Sequence, residues 1–172
     1  MKIKYILCII AGVFLVLFVI TRSESGGSNV YGVNERVFLP EVSTASIKAK
    51  LDTGALTSSL GADDIELFQK DGRDWVRFTP QIKDARRLER PLARHSEIKR
   101  RVAETDEEYE SDKRPVVLLE ICFAGKKYSM EVNLADRSRF NYPLLLGRAS
   151  LVEFGALVDP AREYTITPSC GS

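Results

Sequence analysis

The stretch that most constrains this chain is Ile47-Lys48-Ala49-Lys50-Leu51-Asp52-Thr53-Gly54-Ala55-Leu56-Thr57-Ser58-Ser59-Leu60. Ala49 and Leu51 fall on one side of a short strand and Lys48 and Lys50 on the other, so one face is dry and one is wet. The strand runs into an acid, a hydroxyl and a glycine. A carboxylate at a strand mouth can activate water, and the Thr53 hydroxyl can hydrogen-bond across an interface. Gly54 lets backbone approach the carboxylate where a Cβ would intrude. Taken bare, Asp-Thr-Gly is also a good turn, so its surroundings have to decide. Two carboxylates about 3 Å apart cannot both ionise; they share a proton, and one can act as base while the other acts as acid. This chain carries one Asp-Thr-Gly, so the second carboxylate would have to come from another copy of it.

The amino terminus constrains where the chain goes. Lys2 and Lys4 precede a charge-free run from Tyr5 to Ile20, which Thr21 and Arg22 close. This is a basic head followed by an apolar stretch slightly short of a comfortable membrane span. There is no clear small-x-small cleavage site, and Cys8 lies too early for a lipobox. Residues 1–22 therefore read as a signal anchor or a removed signal peptide, the anchor being preferred. Either way the body is expected outside the inner membrane, tethered to it or released into the periplasm. Residues 23–32 form a Ser/Gly-rich flexible tether, residues 33–167 the folded domain, and residues 168–172 a tail.

Within that domain the pattern is short strands separated by turn signals. Val30 to Pro40, Ile47 to Leu51 and Ser58 to Ala62 read as strands or strand-like segments. Asp71-Gly72 reads as a hairpin turn between Glu66-Leu67-Phe68-Gln69 and Trp75-Val76-Arg77-Phe78. Pro115 to Phe123 is the best buried strand, turned at Ala124-Gly125-Lys126-Lys127 and returning through Tyr128 to Leu134. Pro143 to Gly147 is an apolar run closed by glycine, and Arg148 to Phe154 is spaced for a short helix. Leu157 to Pro160 and Tyr164 to Ile166 are expected to form a last strand pair. The fold class is all-β with one short helix.

A hydrophobic content of 44% supports one packed core, and a net charge of +1 carries no basic signature for nucleic acid. Cys122 and Cys170 could pair or stay free. Lys83 to Arg101 holds eight Lys/Arg and is followed by an acidic run from Glu104 to Asp112. A solvated loop or extended hairpin is the plainer reading; a basic surface for an anionic partner is the other. His95 reads as a surface residue of that segment.

A strand ending in Asp-Thr-Gly, then hairpins, then an apolar run with Gly opening a short helix resembles the layout of retroviral-type aspartic proteases. It resembles more closely a bacterial family of retropepsin-like proteins, often labelled ATP-dependent zinc proteases. The matching blocks are Val37 to Pro40, Ile47 to Ser59, Trp75 to Phe78, Arg114-Pro115-Val116, Asp136-Arg137, Tyr142 to Arg148 and Val158-Asp159-Pro160. Members often carry a His shortly after the Thr-Ser pair, where this chain has Gly61. The resemblance implies a retropepsin-like β-barrel in which Leu145, Leu146 and Gly147 pass behind the catalytic loop and support it. It also implies a peptidase acting as a homodimer, with Asp52, Thr53 and Gly54 catalytic and no cofactor. Ala55 would touch substrate, as would Trp75 if its hairpin covers the site, although Trp75 reads as readily as core. One His and two distant cysteines cannot furnish a catalytic zinc site, and Gly125-Lys126 lacks the rest of a P-loop. The alternative is a tethered, non-catalytic module on the same fold that binds peptide or an envelope component. A salt bridge among Asp136, Arg137 and Arg148 is the structural expectation for those residues.

Overall fold

The computed structural model describes residues 29–98 and 112–170, so the expected N-terminal helix and most of the acidic run lie outside the described residues. Ten strands and one helix follow in order. They are β1 (Val30–Val37), β2 (Ile47–Asp52), β3 (Ser58–Lys70), β4 (Arg73–Pro80), β5 (Leu88–Pro91), β6 (Arg94–Ile98), β7 (Asp112–Phe123), β8 (Lys126–Ala135), β9 (Leu144–Gly147), α1 (Arg148–Glu153) and β10 (Leu157–Glu163). The expected class, all-β with one short helix, is what the described residues adopt.

The strands run in the order β10-β1-β2-β9-β3-β8-β7-β6, with β4 branching from β3 and β5 from β4. Beyond β1, Phe38 N–H donates to the Cys122 carbonyl and Cys122 N–H to that of Phe38. This bridge joins the two ends of β1-β2-β9-β3-β8-β7, so six strands close into a barrel and leave few free edges. Its core gathers Val37, Leu39, Ala49, Leu51, Leu60, Val117, Leu119, Ile121, Val132, Leu134, Leu144 and Leu146, with Leu151 and Phe154 from the helix segment.

The four-residue β9 is the innermost strand. It pairs in parallel with β2 on one side and antiparallel with β3 on the other. Leu144 and Leu146 are wholly buried, and each contributes about 1.5–3 kcal/mol by leaving water. This explains an apolar run with no charge in it.

The long β3 serves two sheets. Ser58 to Gly61 pair with β8, and Ala62 to Lys70 pair with β4. The switch is a bulge between Asp63 and Glu66, where Asp64 takes φ 50°; short polar Asp tolerates that left-handed conformation better than most residues. The Asp71-Gly72 turn is present with both residues at positive φ.

One expectation is corrected. Tyr164 to Ile166 do not pair with Leu157 to Pro160. Instead β10 lies parallel to β1, and the chain then runs to Glu35. That carboxylate is wholly buried and accepts N–H bonds from Gly32, Thr165 and Ile166 and the Thr165 hydroxyl. A buried acid needs that many donors, and strand pairing could not have supplied them. The described part of Lys83 to Arg101 follows the extended-hairpin alternative: β6 pairs antiparallel with β7, and β5 with β4. It contributes β5 and β6, and Arg87, Arg90 and Arg94 pair with Glu66, Glu41 and Glu131. Cys122 and Cys170 form a disulfide that ties the tail to β7.

Candidate active site

β2 alternates buried and exposed residues up to Asp52, which is half-buried, so the acid stands on the wet face with Lys48 and Lys50. Its Oδ1 accepts the backbone N–H of Gly54 at 3.0 Å and of Ala55 at 3.1 Å. The loop therefore folds back on its own acid, as Asp side chains favour, and holds one oxygen while the other stays available. A Cβ on Gly54 would lie 3.3 Å from that same oxygen.

The loop is fastened from behind. Asp52 sits opposite Gly147 in the parallel register of β2 and β9. A Cβ on Gly147 would come within 2.6 Å of the Thr57 carbonyl carbon and 2.8 Å of the Leu56 oxygen, so only glycine admits this approach. The first N–H groups of α1 have no intrahelical acceptor, and the loop supplies one to each of the first two. Arg148 donates to the Ala55 carbonyl at 2.7 Å and Ala149 to that of Leu56 at 3.1 Å. Gly147 N–H donates to Ser58 Oγ at 3.0 Å. Gly147 thus lies directly behind the loop, while Leu145 and Leu146 lead up to it beside Lys50 and Leu51.

Thr53 and Gly54 are exposed, and the Thr53 hydroxyl has no partner among the described residues. Ala55 is half-buried at the turn. Trp75 stands apart, in the second sheet: its ring packs 6.5 Å from Phe68, carries Lys70 Nζ 4.6 Å above it, and its backbone pairs with Pro91. A hollow of about 470 Å³ opens beside the loop, lined by Leu56, Thr57, Arg94, Leu118, Glu131 and Glu153 among others.

A family model described as RimB-like, retropepsin-like aspartic endopeptidase RimB, matches residues 30–169. The chain belongs to this family. It is also similar, at 36% identity and a TM-score of 0.65, to the crystal structure of a Legionella pneumophila protein of unknown function, over 81% of this chain and 98% of that one. Two curated relatives, from Desulfotalea psychrophila and Shewanella pealeana, are each 31% identical and named probable α-L-glutamate ligase. The matches take in 84% and 80% of this chain but 31% and 30% of those proteins, so the chain spans about a third of their length.

Membership makes the departure at Gly61 informative. A Cβ there would meet Gln81 Oε1 at 2.6 Å and Arg137 Cβ at 3.2 Å; Gln81 and Arg137 fill the space a larger residue would need. Gln81 accepts the Arg137 N–H and donates to Asp63 and Asp136. Asp136 also accepts the Ser138 N–H. These bonds, Gln81 first, hold its carboxyl down at about 2. Arg137 donates Nε to the Tyr142 carbonyl and lies 4.7 Å over the Phe140 ring. Among the described residues none of Asp136, Arg137 and Arg148 joins a salt bridge, which corrects the expectation for them: a neutral amide and a carbonyl take the places of ionic partners.

Sequence reasoning passed over Ser59 and Asn133. Their Oγ and Oδ1 atoms are buried without hydrogen-bond partners. The available signal was Val132-Asn133-Leu134-Ala135, where β8 stops alternating and both faces become buried.

Proposed function

We propose that this domain is an aspartic endopeptidase completed by a second copy of itself. Asp52 of each copy would share a proton over one water; one carboxylate takes a proton from the water as the other protonates the scissile amide. The observation that carries the reading is Asp52 itself. It is a strand-end acid on the wet face, with one oxygen fixed by two backbone N–H groups and its loop fastened by Gly147 and α1. Leu56 and Val152 are 61% and 74% exposed on the loop and helix that carry the site, apolar surface a second copy would cover.

The relatives support a substrate class. A domain like this one lies within proteins named for joining α-L-glutamate, so peptides with α-linked glutamate are the proposed substrate. Anchoring at the outer face of the inner membrane, or release into the periplasm, is proposed from the charge-free run of residues 5–20. The Cys122–Cys170 disulfide supports an oxidising compartment.

The test is cleavage of an α-linked glutamate oligopeptide by the full chain between about pH 4 and 7, where coupled carboxylates titrate. Asp52→Asn is expected to lower the rate about 10³-fold or more. Retained cleavage would remove Asp52 from the mechanism, and a monomer that binds peptide without cutting it would favour the binding-module reading.

A further inference from the structure

The chain beyond β10 is a strap with a strained start and one covalent fastening at its far end. β10 stops at Glu163, and Tyr164 turns the chain at φ 51°. That left-handed conformation is costly for a bulky side chain and persists only while the structure around it is held. Tyr164 N–H donates to the Asn34 carbonyl, and Ile166 packs against the barrel core. Among the described residues Thr167, Ser169 and Cys170 make no hydrogen bond. What fastens that end is the bond from Cys170 to Cys122. Cys122 is 1% exposed and Cys170 is half-buried, so Cys170 carries the sulfur a reagent reaches.

The strap has a buried charge to serve. Glu35 is wholly buried. It accepts four hydrogen bonds: one from Gly32 N–H, and three from the strap through the Thr165 N–H, the Thr165 hydroxyl and the Ile166 N–H. Stripped of those three, a carboxylate in the interior keeps one donor, which does not offset its burial. Asn34 and Glu35 stand opposite Lys50 and Ala49, the residues of β2 that lead through Leu51 to Asp52. The strap therefore acts one strand pairing away from the strand that delivers the acid.

We infer that the Cys122–Cys170 pair is a redox latch on the Asp52 site. Closed, it holds the strap on Glu35 and keeps β1 and β2 in register. Open, the strap turns away at Tyr164, Glu35 is left with Gly32 alone, and β2 slackens beneath Asp52. A dithiol opens the latch. Its thiolate attacks Cys170 Sγ, the bond to Cys122 breaks, and Cys122 leaves as the thiolate. The second thiol of the dithiol then displaces Cys170, so both cysteines end as thiols and the dithiol ends as its own disulfide. Exchange with a disulfide oxidant runs the same steps backwards and closes it. The chain is then slack in a reducing compartment and becomes competent where disulfides form. This inference rests on the peptidase reading for the activity that it gates.

The experiment compares the full chain, carrying Cys8→Ala so that this pair alone responds, before reduction by dithiothreitol, after it, and after reoxidation by glutathione disulfide. On reduction kcat/KM for an α-linked glutamate peptide should fall about 10- to 100-fold, the scale of hydrogen bonds lost by a buried charge, and it should return on reoxidation. Amide exchange at Thr165 and Ile166 should quicken while the β9 amides stay protected. Cys170→Ser should match the reduced chain without any reductant. Thr165→Val, which removes one strap donor and keeps the disulfide, should lower the oxidised rate part of the way. A reduced chain that stays folded and cuts at an unchanged rate overturns the latch and leaves the peptidase reading standing. Reduction that unfolds the whole barrel also overturns it, because the bond is then a general staple. If the oxidised chain cuts nothing, exchange decides: Thr165 and Ile166 loosened with β9 intact keep the latch and end the peptidase reading, and unchanged exchange ends both.

Discussion

Ser58 and Ser150 lie 92 residues apart in sequence, yet their hydroxyls meet at 2.8 Å in the buried interior. The same Ser58 Oγ accepts the Gly147 N–H, and Ser150 Oγ also touches Met130 Sδ at 4.0 Å. The strand leaving the Asp52 loop is thereby pinned to the helix that closes behind it. Ser58→Ala leaves the Gly147 N–H and the Ser150 hydroxyl short of a partner inside the protein. The expected loss is about 1–3 kcal/mol of stability, read by chemical denaturation; on the proposed function, cleavage should also fall because the loop loses its rear fastening.

Gly147→Ala should be worse for activity than for folding. The new Cβ would strike backbone atoms of Leu56 and Thr57, which cannot swing aside as a flexible side chain would. The clash is expected to cost about 1–3 kcal/mol. The strain falls on the loop that holds Asp52, so cleavage should drop more than the shift in denaturation midpoint alone would suggest.

A shared active site predicts interference between copies. Adding an equal amount of Asp52→Asn chain to a fixed amount of wild type, under conditions where subunits exchange, should roughly halve the rate, since random pairing leaves fewer wild-type dimers. A rate unmoved by the mutant chain, at concentrations where sedimentation shows mixed dimers, would mean that each copy works alone.

Asp136 gives a pH prediction. Hydrogen bonds from Gln81 and Ser138 lower its carboxyl from 3.8 to about 2. A carboxyl depressed by folding stabilises the folded state fully above its unfolded value, and that contribution is lost as pH falls through the folded one. The Asp136 contribution should therefore be intact above pH 4 and fade towards pH 2. Asp136→Asn should flatten that part of the stability curve, and side-chain carboxyl chemical shifts should place the midpoint near 2. A midpoint at the ordinary Asp value would show the Gln81 contact to be absent in solution.

The single Asp-Thr-Gly, the alternation of β2, the Asp71-Gly72 and Ala124-Gly125 turns and the apolar run ending in Gly147 were all readable in the residues. Each is a local matter of period, turn chemistry or side-chain size within a few positions. What no local pattern could hold is who stands beside whom across the barrel. The tertiary structure alone decided that Thr165 and Ile166 serve Glu35 instead of a strand, that Gln81 and Arg137 fill the space over Gly61, and that Ser59 stands opposite Asn133 between β3 and β8. Those outcomes follow from strand register and barrel closure, in which residues far apart in sequence settle together to satisfy buried polar groups.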